Sequence, residues 1–181
     1  MLQVSIEKFE IIEGYENTAV FLDQVRDAAD AHRNALGFFP SSVYGEFARS
    51  NNLYVIIEKS SERSHYAGHL LFDRRHPRAH VRQMFTSPKY RRLGLASKLI
   101  KHFCNSLTGE GFTSIYARVA EDLEDSNVFW ERHDFFVQRV EEGRGVRKRK
   151  ILVRCHELES PQLFPTRDIG HHNPLGLETS R

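Results

Sequence analysis

Apolar positions fall first into a loose alternation over residues 2–12 (Val4, Ile6, Ile11, Ile12), the period of a half-buried strand, which Gly14 breaks. From Asn17 or Thr18, either able to cap, Val20, Phe21, Val25, Ala28 and Ala29 recur at helical spacing. That helix loosens near Gly37, and residues 41–50 suit a second short helix with Ser41 or Ser42 as N-cap. Residues 53–58 (LYVIIE) and 67–72 (AGHLLF) read as a hairpin across the polar turn 59–64, and 73–78 as a charged loop holding Pro77. Residues 80–86 form a further strand, stopped by Ser87-Pro88. Leu95, Leu99, Phe103 and Leu107, with Ala96 and Ile100 beside them, mark one face of the strongest helix in the chain, closed by Gly109 and Gly111. Residues 113–119 (TSIYARV) read as a strand and 126–133 as a short helix capped by Asp125 or Ser126. Residues 135–140 and 150–154 pair across the turn 141–145.

The order of elements predicts an α/β (α+β) fold on a mixed sheet. One strand–helix–strand crossover makes one parallel pair, and the other neighbours are antiparallel. Residues 1–158 are expected as one domain. Beyond Leu158 Pro, Gly and His punctuate the chain without a period, and residues 159–181 are expected as a loosely packed or disordered tail.

Composition narrows the class without changing it. The chain of 181 residues is 40% hydrophobic and 28% charged, globular proportions that need no disulfide or structural metal. A net charge of +2 is too mild to argue for nucleic acid by itself. Cys104 and Cys155 form no C-x-x-C pair and read as reduced thiols; His171-His172 has no further ligands, so no metal is expected. No apolar run approaches the roughly 18 residues of a membrane span. The N-terminus is charged too early for a signal peptide, so the expected location is cytoplasmic.

Chemistry concentrates at residues 87–97, SPKYRRLGLAS, between a strand and the strongest helix. Gly94 and Ala96 let backbone approach a ligand, Arg91 and Arg92 add positive charge, and the free N–H groups of the helix start point to the same place: a phosphate site. It is neither a Walker loop nor a dinucleotide fingerprint. Here the sequence resembles the GCN5-related N-acetyltransferases (GNAT), whose pyrophosphate loop reads Gln/Arg-x-x-Gly-x-Gly/Ala, as in Arg91-Arg92-Leu93-Gly94-Leu95-Ala96. Met84-Phe85-Thr86-Ser87-Pro88 matches the Val-x-Pro element ahead of that loop, with Thr86 for Val. Phe129-Trp130-Glu131-Arg132-His133-Asp134-Phe135 matches the later Phe-Tyr-Glu-x-x-Gly-Phe element, with Trp130 for Tyr and Asp134 for Gly. The resemblance spans Val4 to Leu158.

The resemblance implies a splayed central sheet and an acetyl-CoA-dependent acyl transfer to an amine, with acetyl-CoA as co-substrate. The parallel strands 80–86 and 113–119 would separate, and the pantetheine arm would lie between them. An N–H near Phe85 or Thr86 would polarise the thioester carbonyl. The implied CoA-binding set is Met84, Phe85, Thr86, Arg91, Arg92, Leu93, Gly94, Leu95, Ala96 and Ser97, with Asn127 and Trp130. An amine of pKa about 10.4 must lose a proton before it attacks. Many members carry a carboxylate on the first of these strands; here Arg82 and Gln83 occupy it. Candidate bases are His69, Asp73, His32, Glu46, Glu121 and Asp122, while Gln83 and Tyr116 could orient a water. Trp130 lacks the phenol thought to protonate the leaving thiolate, so it lines the channel or fills core. The acceptor stays open between small molecule and protein or peptide.

Two rival readings stand: a non-catalytic CoA-binding sensor, and an acyltransferase acting on a transfer-RNA-linked acceptor. The second rests on the basic run 143–154 (Arg144, Arg147, Lys148, Arg149, Lys150, Arg154), which without interleaved aromatics reads better as a hairpin guarding a sheet edge. An exposed last strand pair would suit a homodimer.

Overall fold

The computed structural model describes residues 6–143 and 148–158. Among them, strands β1 (Phe9–Ile12), β2 (Leu53–Glu58), β3 (His65–Arg75), β4 (Arg78–Thr86), β5 (Ser114–Ala120), β6 (Phe136–Glu142) and β7 (Lys150–Glu157) build one sheet in the order β1-β2-β3-β4-β5-β7-β6. The helices are α1 (Tyr15–Thr18), α2 (Leu22–Ala31), α3 (Arg33–Leu36), α4 (Ser41–Arg49), α5 (Leu95–Thr108) and α6 (Glu124–Glu131). This is the mixed α/β fold expected, with β4–β5 parallel and the other neighbouring pairs antiparallel.

The helical spacing in 95–107 works as predicted. Leu95, Leu99, Phe103 and Leu107 are all buried and pack with Phe72, Ile115, Ala117 and Trp130 on one face of the sheet. The other face buries Val25, Ala29, Tyr44 and Ala48 of α2 and α4 against Leu53, Val55 and Leu71. Sheet and helices thus form three layers, with apolar burial on both sides of the sheet.

The decisive irregularity lies in β4. Its pairing with β5 covers only Arg78↔Ser114 to Val81↔Ala117. Beyond that point β3 still accompanies β4 to Thr86, and β7 still accompanies β5 to Ala120, so a gap opens between two supported strands. The cause is a bulge. Leu71 pairs with Gln83 and Phe72 with Val81, which leaves Arg82 unmatched. One extra residue bends a strand and reverses its facing pattern. Ala79 and Val81 face the α5 layer, and after the bulge Met84 does, while Gln83 turns to α3 and α4. Gly68 on β3 permits close contact here, since a Cβ at that position would lie 2.3 Å from Phe85 O.

Several local expectations are corrected. The first strand is only Phe9–Ile12, preceded by a 3-10 turn from Ile6; residues 1–5 lie outside the described residues. The first helix is broken into α1, a 3-10 turn, α2 and α3. Thr18 does not cap it, because its hydroxyl donates back to Gly14 O at 2.9 Å. Pro40, not Ser41 or Ser42, precedes α4, and Leu123, not Asp125 or Ser126, precedes α6. The supposed loop 73–78 is strand on both sides of a tight turn at His76-Pro77, because Asp73 and Arg75 continue the ladder with His80 and Arg78. The tail 159–181, with Arg144 and Arg147 of the basic run, lies outside the described residues.

Arg154 is also corrected: it is no surface cation. Only 1% exposed, it sits between β7 and α6. It donates to Phe135 O (2.9 Å), Asn127 Oδ1 (3.2 Å) and Glu131 Oε1 (3.1 Å). Glu131 remains largely solvated, so the pair keeps part of its hydration. Replacing Arg154 with Ala should cost about 2–4 kcal/mol, because it strands two buried acceptors and leaves a cavity. Urea denaturation checks this, and a loss near zero would show that these bonds add little.

Candidate active site

The gap between β4 and β5 holds a cleft of about 670 Å³. It runs from the Arg91–Ser97 segment, past Thr86 and Trp130, to His32 and Leu36 on the opposite side of the sheet.

At the first end Gly94 precedes α5 with φ 76° and ψ 10°, a left-handed conformation that favours glycine. Arg92 is left-handed as well, with φ 64°. Lys98 N is the first α5 amide to bond back, to Gly94 O, so the amides of Leu95, Ala96 and Ser97 are free for an anion. The loop is anchored beneath: Tyr90 donates to Glu58 Oε2 at 2.6 Å, and Lys8 donates to the other carboxylate oxygen. The Lys8 and Tyr90 hydrogen bonds hold the Glu58 carboxyl below its usual range. Ser97 Oγ lies 2.9 Å from His133 Nε2, joining the first turn of α5 to the turn that follows α6.

Along the gap, Ser87 N donates to Ala67 O on β3. Alternation of backbone direction then turns the Thr86 N–H away from β3 and toward the gap. Thr86 Oγ1 is buried without a partner in the cleft wall, an orphan that a ligand carrying amide groups would satisfy. Trp130 closes the opposite wall, its ring 4.6 Å from Phe135 and 5.4 Å from Phe129.

At the far end the His32 ring packs against Phe85, tilted by 38° with centroids 4.9 Å apart. Gln83 Nε2 donates to Leu36 O (3.3 Å) and to the Tyr44 hydroxyl (3.4 Å), tying β4 to α3 and α4. Behind it His69 is fully buried, its Nδ1 2.6 Å from the Tyr66 hydroxyl. Burial pushes His69 down to about 3, against a smaller upward pull from Gln83. Asp73 receives Arg82 Nε at 2.7 Å and lies 3.1 Å from His80 Nδ1. Burial raises its carboxyl, but the His80 and Arg82 contacts outweigh that and bring it below the usual range. Arg118 and Arg139 share Glu141. Arg149, just ahead of β7, bonds Asp122 Oδ1 and Asn34 O, both at 2.6 Å, and so straps the approach to β7 to α3.

Of the residues singled out from sequence, Met84, Phe85, Thr86, Arg91, Arg92, Gly94, Leu95, Ala96, Ser97, Gln83 and Trp130 all line this cleft. Leu93 packs against the core instead. Asn127 is spent on the β5–α6 connection, bonding Ala120 O, Glu121 O and Leu123 O and accepting from Arg154. Tyr116 is not a lining residue; it stacks on His80 at 5.5 Å. Among the candidate bases only His32 lines the cleft. His69 is sealed, Asp73 is bound by Arg82, Glu121 and Asp122 pair with Lys150 and Arg149, and Glu46 is an exposed residue of α4. Sequence reasoning passed over Arg118, although alternation in TSIYARV puts it on the face opposite Ile115, Ala117 and Val119. Among the described residues no group of three or more His, Cys, Asp or Glu is arranged to hold a metal, and no helix is long and apolar enough to cross a membrane.

A sequence model of the Acetyltransferase (GNAT) family matches residues 19–135, well over half of the chain. No curated protein matches in sequence. Solved structures share the fold at low identity. Ard1 from Thermoplasma volcanium superposes with a TM-score of 0.72 at 13% identity, covering 84% of this chain and 99% of that one. The NatC complex bound to Gag peptide and CoA gives 0.73 at 13% identity, with 84% and 99% covered. The ribosomal-protein-S18-alanine N-acetyltransferase from Escherichia coli gives 0.67 at 10%, with 87% and 99% covered.

Gly94→Val should abolish CoA binding measured by calorimetry while the far-ultraviolet circular dichroism stays native. A β-branched residue at φ 76° is strained by about 1–2 kcal/mol, enough to distort the loop without unfolding the core. Unchanged affinity would overturn the loop assignment. His69 carries a second expectation. Its folded value of about 3 lies below the unfolded 6.5, so the unfolded chain takes the proton first and stability falls as pH drops through that window. Urea midpoints at pH 7 and about pH 5, where most carboxylates stay ionised, should differ in the wild type and differ less in His69→Leu.

Proposed function

The chain belongs to the acetyltransferase (GNAT) family, and we propose that it transfers the acetyl group of acetyl-CoA to the nitrogen of an amine acceptor. The observation that carries this reading is the two-ended cleft. A left-handed glycine and free helix amides stand at one end, and His32 stands at the other beyond the strand gap. The pyrophosphate would be held by Arg91, Arg92 and the amides at the start of α5, and the pantetheine arm would run along β4 past Thr86. The Thr86 N–H would stabilise the oxyanion of the tetrahedral intermediate. His32 is our choice for taking the acceptor's proton, directly or through a water, since the carboxylates considered for that role are committed elsewhere or lie outside the cleft. Trp130 shapes the channel and moves no proton. We take residues 1–158 as the catalytic unit and the cytoplasm as its location. A homodimer would use β6, where Phe136, Val137 and Val140 are 49%, 42% and 56% exposed.

The transfer-RNA-linked reading loses support in most of the described part of the basic run: Arg149 is bound to Asp122, Lys150 to Glu121, and Arg154 is buried, while Lys148 stays exposed. The non-catalytic reading is decided by turnover. Incubation with acetyl-CoA and an amine panel should release free CoA thiol and yield acetylated amine by mass spectrometry. CoA binding without product from any amine would favour the sensor. His32→Gln should lower kcat by about 10²-fold, the range typical of a lost general base. Trp130→Phe should retain most of the turnover. Trp130→Tyr should raise it only if thiolate protonation limits the rate. A collapse in Trp130→Phe with CoA affinity intact would give the indole N–H a catalytic part.

A further inference from the structure

The last residue pair before the gap is Val81↔Ala117, so the next residue on each strand stands where the strands part. Those residues are Arg82 and Arg118, and both line the cleft on its His32 side. Neither is fully neutralised. Asp73 is shared by Arg82, His80 and, at 3.8 Å, Arg75. Glu141 is shared by Arg118 and Arg139. Two carboxylates therefore serve four guanidiniums. Arg78 adds a fifth, over the Tyr116 ring at 5.8 Å. Among the described residues, Arg82 keeps Nη1 and Arg118 keeps Nε and Nη2 without a hydrogen-bond partner. The acceptor side of the gap has surplus positive charge and unspent planar donors.

We propose that the acceptor is an amine bearing its own carboxylate close to the nitrogen, the carboxylate docking on Arg82 and Arg118. The inference rests on the acetyltransferase reading and names its substrate class. A purely cationic acceptor, such as a polyamine or a lysine in a basic segment, would enter against this field. A carboxylate would be held by charge-assisted, fork-shaped bonds. Its pairing with guanidinium also weakens its hold on the neighbouring ammonium. Together with the cationic field, this favours loss of the ammonium proton, part of what a carboxylate on β4 would otherwise do. The reaction balances in the ordinary way. The neutral nitrogen forms a bond to the acetyl carbon, the carbon–sulfur bond breaks, and the proton shed by nitrogen offsets the one that converts the leaving thiolate to CoA thiol.

The test compares L-glutamate, a peptide beginning Asp-Glu, their side-chain amides and spermidine as acceptors for the full chain with acetyl-CoA. A carboxylate-bearing acceptor should exceed its amide in kcat/KM by about tenfold or more, the worth of one hydrogen bond to a charged group. The glutamate and peptide arms distinguish a free amino acid from an acidic N-terminus. Arg118→Gln should raise the acceptor KM and shrink that ratio while the KM for acetyl-CoA holds. Arg118→Lys should recover part of it, and Arg118→Glu should shift preference toward the amide. Arg118 is half exposed, so these variants should fold. Equal rates for acid and amide, or a preference for spermidine, would overturn the inference. If no amine turns over, titration of the CoA-saturated protein with N-acetyl-L-glutamate and its diamide decides, and equal binding overturns the inference. Failure to bind CoA at all would instead sink the acetyltransferase reading and this inference with it.

Discussion

Everything that makes a site of this sheet follows from the early end of one ladder. β4 and β5 share four residue pairs and then part, each still hydrogen-bonded on its outer side. A sheet with an unpaired interior edge exposes backbone donors where a protein normally hides them. Here that defect is fixed in place by the Arg82 bulge, which bends β4 and turns Gln83 toward the helices. Unpaired backbone thus borders the cleft, and the side chains around it shape and charge its two mouths.

Those mouths are built by different physics. At the α5 end attraction comes from a helix terminus and a left-handed glycine, with Tyr90, Glu58 and Lys8 holding the loop from below. At the other end it comes from side chains whose charges are shared unevenly, and from Arg149, which straps the approach to the last strand to α3. Between them Gln83 is tied through Nε2 to Leu36 and Tyr44, and His69 through Nδ1 to Tyr66, while Thr86 Oγ1 is left without a partner. Such a network fixes the position of β4 more than it offers proton carriers.

Much of this was legible in the sequence. Helical spacing in 95–107, the small residues after Arg91-Arg92, and the strand-like runs on either side anticipate α5, the turn at Gly94 and the strands that flank them. The His32 end of the cleft was hidden for definite reasons. A bulge is a register event and leaves no mark in periodicity, so the facing of Gln83 and Phe85 could not be read from alternation. Asp73 looked like part of a charged loop because strands rarely end in Asp-Arg-Arg, yet its ladder partner His80 keeps it extended. Arg154 looked like surface charge. Only tertiary contact with Asn127, Phe135 and Glu131 makes it a core residue, and the same contact takes Asn127 out of the cleft.

Gly68 gives the two halves of the site different histories. Any side chain there would meet the Phe85 carbonyl at 2.3 Å and the Thr86 Cα at 3.2 Å. The strand that aims Thr86 into the gap is therefore locked to a residue with no room to drift. Arg118, in the cleft wall, and Arg139, on β6, are about half exposed and can be exchanged singly. Over generations of change the Thr86 half of the cleft should stand still while the Arg118 half is rewritten, so that descendants of this chain keep one wall of the cleft and diverge at the other.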